Sequence, residues 1–363
     1  MTEPKWKHSI LYSASIYAVL YLVHSSILHK LLLGHEKLHI KRNPVLPLRF
    51  RSDGTFKILQ VADMHYANGI VTRCRDVLAS EFKGCSDINT TRFVKRMIES
   101  EMPDFIAFTG DNIFGPSTSD AAESLFGAFV PAVESKLPWA AVLGNHDQES
   151  TMDREELMYF ISLMDYSVSQ INPSHNDLAT SDIDGGDRAV VQGMRTYGWI
   201  KESQLQWLVG LSEKLRGGRL EETDASSPAL AFFHIPIPEV RQLSPQKIVG
   251  QFQEAVACSF INSGVLKTFL SMGDVKAFFV GHDHTNDFCG NIDGIWVCYG
   301  GGCGYHGYGK AGWPRRARVI TAELGKSHRD WTGVERISTW KRLDDEELSM
   351  IDKQVLWDSG STS

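Results

Sequence analysis

The sequence predicts a layered α/β or α+β domain, and three observations lead to this fold class. From Phe56 onward, short apolar runs of strand length alternate with longer helical stretches. Dense polar motifs directly follow five of these runs, at the position where sites in α/β sheets collect. The composition is globular, with 363 residues of which 42% are hydrophobic and 22% charged, and it excludes collagen-like, coiled-coil and wholly disordered proteins.

Each predicted element rests on the local pattern of apolar residues. The predicted strands are Phe56–Ala62, Phe105–Thr109, Trp139–Leu143, Ala229–Phe233, Val275–Val280, Ile295–Tyr299 and Arg318–Glu323. The predicted helices are Thr90–Glu101, Asp120–Ser135, Asp153–Met164 and Glu202–Leu215. Side chains that commonly cap helices stand at two of the N-termini: Asp120 for the second helix, and Thr151 or Asp153 for the third.

The N-terminal residues 1–33 are predicted to form a signal peptide or a signal anchor. Basic residues precede the apolar run Ile10–Val23, which is the order found in signal sequences. Apolar residues then resume, so that Ile10–Leu33 could cross a bilayer, although His29 and Lys30 argue against a span. A cleaved peptide, a retained anchor and a buried amphipathic helix therefore remain as alternatives.

The rest of the chain divides into a linker at 34–54, one large domain at 55–343 and a polar C-terminal tail at 344–363 that is expected to fray. The N-terminal pattern predicts entry into the secretory pathway, with a secreted, extracellular or vacuolar destination. Membrane contact is expected only through an uncleaved N-terminal segment. The formal net charge of −7 lacks the basic footprint of a nucleic-acid binder, so no nucleic-acid partner is expected.

Six cysteines form an even set, which is compatible with disulfides in the secretory pathway. Two local pairs are the bridges that we expect first: Cys74 with Cys85, and Cys289 with Cys298. Free buried thiols remain the alternative. Asn89 begins an Asn-Thr-Thr sequon and would accept a glycan if the chain is secreted.

The residues that carry chemistry follow five predicted strands. In chain order the motifs are Asp63-Met64-His65, Gly110-Asp111-Asn112, Gly144-Asn145-His146-Asp147, His234 and Gly281-His282-Asp283-His284. Carboxylate, amide and imidazole groups suit Fe, Mn, Zn or Mg, and the motifs contain no cysteine, which argues against a structural zinc site or an iron–sulfur cluster. The ligands are too many for one ion and suit two, with the glycine-flanked Asp111 as the bridge. One motif alone could be a turn or a core histidine, but their shared place at strand ends favours metal binding.

These motifs, in this order, resemble those of the calcineurin-like metallophosphoesterase superfamily, and within it those of plant-type purple acid phosphatase-like proteins, from Phe56 to Glu323. The resemblance implies two β-sheets packed face to face with helices outside. It also implies two ligand sets, which are Asp63, His65, Asp111 and His284 for one metal, and Asp111, Asn145, His234 and His282 for the other. His146 would contact the substrate oxygens, Asp147 would orient that imidazole, and a metal-bridging hydroxide would attack phosphorus.

Two departures from the family pattern stand out. Purple enzymes have a tyrosine ligand where this chain has Phe114, and a glycine where it has His65, so the ligand set resembles calcineurin and no tyrosinate colour is expected. The expected metal pair is Fe with Zn or Mn. Between Asn172 and Tyr197 the strands usual in the family are missing, as if a segment near 185–187 had been deleted.

Two further features have open interpretations. The glycine-rich stretch Gly300–Gly309 is predicted either as a mobile loop at the mouth of the metal site or as a hairpin with packed aromatic residues. Arg315 and Arg316 are predicted either to contact an anionic substrate or to begin a solvated strand.

The sequence therefore predicts an enzyme, a dinuclear-metal hydrolase of phosphate monoesters with acid-phosphatase-like chemistry. Its substrate would be a small phosphate ester or a phosphorylated molecule. A phosphodiesterase is the alternative among enzymes, since the same ligands serve both reactions. A catalytically weak or inactive metal-binding protein is the alternative from another class, because of the missing segment.

Overall fold

The computed structural model describes residues 12–24, 41–171, 188–191, 194–217, 227–327 and 330–360. The chain divides into two compact units, Met1–Arg42 and Asn43–Ser363. In the first unit, helix α1 covers residues 12–24 and exposes most of its apolar side chains. Across the described ranges, no helix combines the length and apolarity that a bilayer crossing requires. The remainder of the predicted segment Ile10–Leu33 lies outside the described residues.

Within the described ranges, the second unit contains the rest of the secondary structure. Its helices are α2 (Ala79–Phe82), α3 (Asp87–Glu101), α4 (Ala121–Ser135), α5 (Arg154–Leu163), α6 (Glu202–Gly217) and α7 (Val265–Met272). Its first seven strands are β1 (Thr55–Val61), β2 (Phe105–Thr109), β3 (Trp139–Val142), β4 (Arg188–Val191), β5 (Met194–Tyr197), β6 (Ala229–Phe232) and β7 (Ile248–Val249). The other strands are β8 (Val275–Val280), β9 (Cys289–Ile292), β10 (Ile295–Tyr299), β11 (Arg316–Lys326), β12 (Trp331–Leu343) and β13 (Met350–Asp358).

Helices α4 and α5 begin where aspartate side chains accept hydrogen bonds from free backbone amides. Asp120 accepts from the amide of Glu123 at 2.9 Å and caps α4, and Asp153 caps α5 with a bond of the same length from Glu156. Both caps agree with the sequence prediction. The hydroxyl of Thr151 accepts from the amide of Ala121, so it supports the start of α4 rather than α5.

The larger sheet has six strands in the order β13-β12-β11-β1-β2-β3. Strands β1, β2 and β3 run parallel, whereas β11 is antiparallel to β1 and continues into the antiparallel pairs β11–β12 and β12–β13. The parallel register places Val61 opposite Phe108, and Thr109 opposite Val142. The loops that follow these three strands therefore leave the sheet at one edge.

The smaller sheet has five strands in the order β6-β8-β10-β9-β7, and β6, β8 and β10 are parallel. Three apolar clusters define the layers of the domain. One packs α3, α4 and α5 on the larger sheet, one packs α6 and α7 on the smaller sheet, and the third lies between the sheets. Ala277 and Phe279 of β8 face Ile320 of β11 and Ile337 of β12 in this third cluster. The observed order of layers is helices, sheet, sheet and helices, as predicted.

A buried cluster of charged side chains also lies where the two sheets meet. The carboxylate of Asp287 contacts Nη1 of Arg316 at 2.6 Å and Nζ of Lys341 at 2.8 Å, and its backbone oxygen accepts from Arg318 at 2.8 Å. Lys341 also contacts Asp352 at 2.6 Å. The side chains of the first four residues are almost completely buried. Arg316, predicted at a solvated strand start or at the substrate, is instead an internal residue.

Two sequence predictions are wrong in the second unit. The region 344–363 is not a fraying tail throughout, because β13 pairs with β12 and buries Leu356 against the sheet interface. The region before Tyr197 is not without strands, because β4 and β5 form a two-stranded antiparallel sheet. Strands β4 and β5 have four residues each, and the apolar residues of β13 stand side by side rather than in alternation, so none of these strands gives a clear period-2 signal. The supposed deletion point near 185–187 lies outside the described residues.

The cysteines pair as the sequence suggested. Cys74 is bonded to Cys85, and Cys289 is bonded to Cys298 across the β9–β10 pair. Cys258 and Cys303 are free and buried. Asn89 lies in the first turn of α3, where its Oδ1 accepts from the amide of Ser86.

Candidate metal centre

The five motifs converge at the carboxyl ends of strands from both sheets. Asp63 and His65 follow β1, Asp111 follows β2, Asn145, His146 and Asp147 follow β3, His234 follows β6, and His282 and His284 follow β8. All of these side chains are buried except that of His146, which is 22% exposed. The fold thus gathers residues separated by more than 200 positions in one place, as the sequence predicted.

Within this cluster the ligand atoms form two groups that share Asp111. The atoms of each group lie within 4.8 Å of one another, and the groups are Asp63, His65, Asp111 and His284, and Asp111, His234 and His282. The Oδ2 atom of Asp111 is 3.3 Å from Nε2 of both His65 and His234. Asn145 belongs beside the second group, because its Oδ1 is 3.2 Å from Nε2 of His234.

The backbone is held in an unusual conformation at the ligands. Four of them have positive φ angles, namely Asp63 at 54°, His65 at 46°, Asp111 at 48° and His282 at 76°. Non-glycine residues adopt this left-handed region rarely, and such strain concentrates at functional sites. Backbone hydrogen bonds fix the conformation, since Asp63 accepts from the amide of His282 at 3.0 Å and Asp111 accepts from that of His146 at 2.8 Å.

Two glycines make this close approach of loops possible. Gly110 has a φ of 90°, and a Cβ atom there would lie 2.5 Å from Nδ1 of His234. A Cβ atom on Gly144 would lie 2.1 Å from Oδ1 of Asp111. A side chain at Gly110 would displace His234, and one at Gly144 would displace Asp111, because neither of these side chains is long and flexible enough to move aside.

Hydrogen bonds to backbone carbonyl oxygens orient two of the imidazoles. Nδ1 of His234 donates to the carbonyl of Thr109 at 2.9 Å, and Nδ1 of His284 donates to that of Tyr308 at 2.8 Å. In both rings Nε2 is left as the atom that faces the carboxylates. A metal-binding histidine usually donates its other nitrogen in this way, which fixes the tautomer.

Burial and neighbouring charges shift the pKa values of the side chains in this cluster. Burial raises the pKa of Asp111, but the charge and hydrogen bond of His234, together with those of His65, outweigh burial and hold that pKa well below its usual value. Burial lowers the pKa of His234, but Asp111, Asp63 and the hydrogen bond to Thr109 together raise it to about 9. Burial raises the pKa of Asp63 well above its usual value and lowers that of His282 to about 3. Burial thus disfavours charge on both groups, and a cation nearby would restore the negative charge of Asp63 while it also favours the neutral, ligating form of His282.

The donor set fits metal ions. Among the residues that the structure describes, the buried Nε2 atoms of His65 and His282 have no hydrogen-bond partner. A buried polar atom is rarely left in this state, and both residues belong to the two groups of side chains that share Asp111. Neutral imidazole, carboxylate and amide oxygen are ligands of Fe, Mn and Zn, and a shared carboxylate is what two adjacent ions require.

The partner of His146 differs from the prediction. Nδ1 of His146 lies 2.5 Å from Oε2 of Glu149. Asp147 is instead fully buried, and its carboxylate accepts from the amides of Ile113 at 2.9 Å and Gly144 at 2.6 Å. Asp147 therefore holds the ligand loops together. Glu149 lies in the position beside His146 that was predicted for Asp147. The three-residue spacing of His146 and Glu149 was the signal in the sequence that could have identified this pair.

Aromatic side chains border the site. The ring of Phe114 lies 5.2 Å from that of His65 and 4.9 Å from that of His146. Phe114 thus occupies the position beside the ligands that the family comparison indicated, and its ring offers no ligand atom. Tyr197 of β5 meets His282 edge-on at 4.6 Å. Arg315 is buried and donates to backbone carbonyls, which differs from the predicted contact with substrate.

The chain is similar to several known proteins. A sequence profile described as calcineurin-like phosphoesterase matches residues 56–286. The protein called "Probable inactive purple acid phosphatase 28" of Arabidopsis thaliana is 58% identical over 390 residues, and the match covers 98% of each chain. "Probable inactive purple acid phosphatase 29" of the same plant is 46% identical, and the match covers 86% of this chain and 89% of its own. Among solved structures, a dimetal phosphatase from Danio rerio is 15% identical with a TM-score of 0.49, covering 83% of this chain and 98% of its own.

The alignment with purple acid phosphatase 28 of Arabidopsis thaliana is longer than this chain. It extends over 390 residues, whereas this chain has 363, so the Arabidopsis relative contains residues without a counterpart here. The profile match covers more than half of the chain, and all five motifs lie within it. The chain belongs to the calcineurin-like phosphoesterase family.

Proposed function

We propose that this protein hydrolyses phosphate monoesters with two bound metal ions, and the observation that carries the proposal is the sharing of Asp111 between two buried ligand groups. One carboxylate within reach of two sets of imidazole and carboxylate ligands suits a pair of adjacent ions. Such a pair would supply Lewis acidity to a phosphoryl group and activate a water molecule. The ions that we propose are Fe with Zn or Mn, and the absence of a tyrosine at Phe114 predicts a protein without tyrosinate colour.

His146 is the proposed catalytic residue. It is the one motif side chain that is not buried, and its ring lies 5.4 Å from that of the ligand His65. An imidazole at this position can donate a hydrogen bond to a phosphate oxygen or a proton to the leaving group. Glu149 would hold the ring in the required orientation from the opposite nitrogen.

Two alternatives have support of their own. A phosphodiesterase would use the same ligands, and the walls formed by Phe114 and Tyr197 would then decide which ester is accepted. A weakly active or inactive metal-binding protein is favoured by the names of the Arabidopsis relatives, which include the words "probable inactive", and by the residues that this chain lacks relative to them. The two alternatives differ in whether any ester is hydrolysed.

The test is an assay of the purified protein with p-nitrophenyl phosphate and bis-p-nitrophenyl phosphate after addition of Mn²⁺ or Zn²⁺. We expect the monoester to be hydrolysed faster than the diester. In His146→Ala, with both ions retained, we expect the rate to fall by at least roughly a hundredfold. Faster hydrolysis of the diester would favour the first alternative. Hydrolysis of neither ester by folded, metal-loaded protein would favour the second.

We also propose that the protein passes through the secretory pathway and acts outside the cytosol. The two disulfides support this, because such bonds persist mainly in oxidising compartments. A glycan at Asn89 would follow from it, although the side chain already caps the start of α3. Mass spectrometry of protein isolated from its native source would detect the glycan and the mature N-terminus.

A further inference from the structure

A single residue of the glycine-rich loop surrounds His284 on several sides. The ring of Tyr308 stacks on the imidazole, with 3.8 Å between ring centroids and 10° between planes. The backbone carbonyl of Tyr308 accepts from Nδ1 of His284 at 2.8 Å, and its hydroxyl accepts from the backbone amide of His284 at 3.2 Å. No other ligand of the described site is contacted through ring, carbonyl and hydroxyl by one residue.

A second layer of contacts holds Tyr308 in place. Its hydroxyl donates to Oε2 of Glu254 at 2.8 Å and also lies 3.3 Å from the backbone carbonyl oxygen of His282. The other carboxylate oxygen of Glu254 accepts from the amide and the hydroxyl of Thr285, at 2.6 and 2.8 Å. Glu254 therefore ties Tyr308 to the residue that directly follows His284. On the other side, Arg315 donates to the carbonyls of Tyr308 and Gly307 at 2.9 and 3.0 Å, which fixes the loop from behind.

This arrangement differs from that of His234, whose Nδ1 donates to Thr109 at the end of β2. A carbonyl in a sheet strand is fixed by the sheet, whereas the acceptor of His284 lies in a loop without helix or strand. The direction of the His284 imidazole therefore depends on the contacts that hold Tyr308. A partner that orients a metal-binding histidine is commonly worth ten- to a hundredfold in metal affinity.

We propose that Tyr308 is a positioning residue that aims Nε2 of His284 at one metal ion, and that Glu254 fixes Tyr308 in that role. The ion concerned is the one held by Asp63, His65, Asp111 and His284. This inference rests on the two-metal site of the proposed function, and it assigns the larger dependence to that ion, because Tyr308 orients the imidazole of His284 but meets His282 only at its backbone carbonyl.

The test uses Co²⁺ as the probe, because its visible absorption reports both binding and coordination geometry. The metal-free full-length protein is titrated with Co²⁺ in competition with a chelator, as wild type and as Tyr308→Phe. We expect two Co²⁺ ions in the wild type. In Tyr308→Phe we expect one of the two to bind roughly ten- to a hundredfold more weakly, with an altered spectrum, and the other to bind as before.

Tyr305→Phe is the matched control, because this tyrosine lies in the same loop and donates its hydroxyl to Asp344 at 2.6 Å rather than contacting a ligand. We expect both Co²⁺ affinities to stay within about twofold of the wild type, even if the protein becomes less stable. If Tyr308→Phe does not fold, Glu254→Ala and Glu254→Gln replace it. Weak binding in the alanine variant and recovery in the glutamine variant would support the proposal.

Equal Co²⁺ binding and identical spectra in Tyr308→Phe and the wild type would overturn the role of Tyr308 and leave the two-metal site intact. Equal loss of affinity at both ions, or the same loss in Tyr305→Phe, would also overturn it, because the effect would then be one of general loop structure. Uptake of fewer than two Co²⁺ ions by the folded wild type would overturn both this inference and the proposed function.

Discussion

Two buried clusters of charged residues lie close to the meeting of the two sheets, and they solve the problem of buried charge differently. In the cluster around Asp287, the cations are supplied by the chain itself, and the ion-pair distances are 2.6 to 2.8 Å. In the cluster around Asp111, the carboxylates face imidazoles at 3.3 to 3.5 Å. Two imidazole nitrogens there find no hydrogen-bond partner among the described residues.

The difference shows how a structural cluster can be told from a binding cluster. Arginine and lysine remain charged when buried beside a carboxylate, so the Asp287 cluster is complete without a ligand. Histidine is a weaker base, and burial lowers the pKa of His65, His282 and His284. Neutral imidazoles beside carboxylates form a set of electron-pair donors, and that set is suited to a cation from solution.

The largest effect is expected from Asp111→Asn, which breaks the binding cluster at the atom that both groups share. An amide carries no negative charge and cannot bridge two cations as a carboxylate does. We expect loss of both ions and hydrolysis at background level, measured by metal analysis and by the p-nitrophenyl phosphate assay. Retention of two ions in this variant would show that Asp111 is not the bridge.

Asp287→Asn is the matched change in the structural cluster. It leaves the buried guanidinium of Arg316 without a carboxylate partner and leaves Lys341 with that of Asp352 alone, and breaking a buried ion pair in this way costs about 3–5 kcal/mol. We expect a decrease of that size in the free energy of unfolding of the metal-free protein, measured by denaturant titration. The folded fraction should still bind two ions. A stability change below about 1 kcal/mol would contradict the assigned role.

Glu149→Gln tests the orientation of His146 without removing a ligand. Loss of the carboxylate weakens the contact at Nδ1, so we expect kcat to fall roughly ten- to a hundredfold with KM and metal content little changed. The exposed Glu155→Gln in α5 is the control and should leave kcat unchanged. An unchanged kcat in Glu149→Gln would return the orienting role to another residue.

The smallest effect concerns the pH dependence of stability, through a buried acid outside both clusters. Burial raises the pKa of Asp87 to about 7 from 3.8, against hydrogen bonds from the amides of Ala67 and Gly69. Because the folded carboxyl holds its proton more tightly than the unfolded one, its contribution to stability falls as pH rises from about 4 to about 7.

Asp87→Asn should therefore make the decrease in melting temperature between pH 5 and pH 8 smaller. A change of about 1 kcal/mol in the free energy of unfolding corresponds to a few degrees in melting temperature. Asp293→Asn, in the exposed turn between β9 and β10, should leave the pH profile as it is in the wild type. An identical pH profile in Asp87→Asn and the wild type would show that Asp87 is ionised in the folded protein.

The positions of the candidate ligands could be predicted from the sequence because each residue follows its strand within a few positions. Once Phe56–Ala62 and Val275–Val280 are recognised as strands, Asp63 and His282 must emerge at the ends of those strands. The disulfide partners were accessible for a similar reason, since each pair encloses a short loop. Local sequence decides all of these placements.

Contacts between distant segments could not be predicted in this way. Glu254 and Tyr308 are 54 positions apart, and nothing in either neighbourhood indicates that they meet. The pairing of β13 with β12 depends on register in an antiparallel sheet, and the apolar residues of Met350–Asp358 do not alternate with polar ones in the sequence. Asp147 was assigned from the family pattern, but backbone amides of two other loop residues determine where its carboxylate lies.

The central claim is that the buried cluster around Asp111 holds two metal ions. Its most direct test is elemental analysis of the purified, folded wild-type protein, with the ions counted per chain by inductively coupled plasma mass spectrometry. We predict two ions per chain after loading with Mn²⁺ or Zn²⁺ and removal of excess metal. One ion or none in protein that is folded by circular dichroism would contradict the claim.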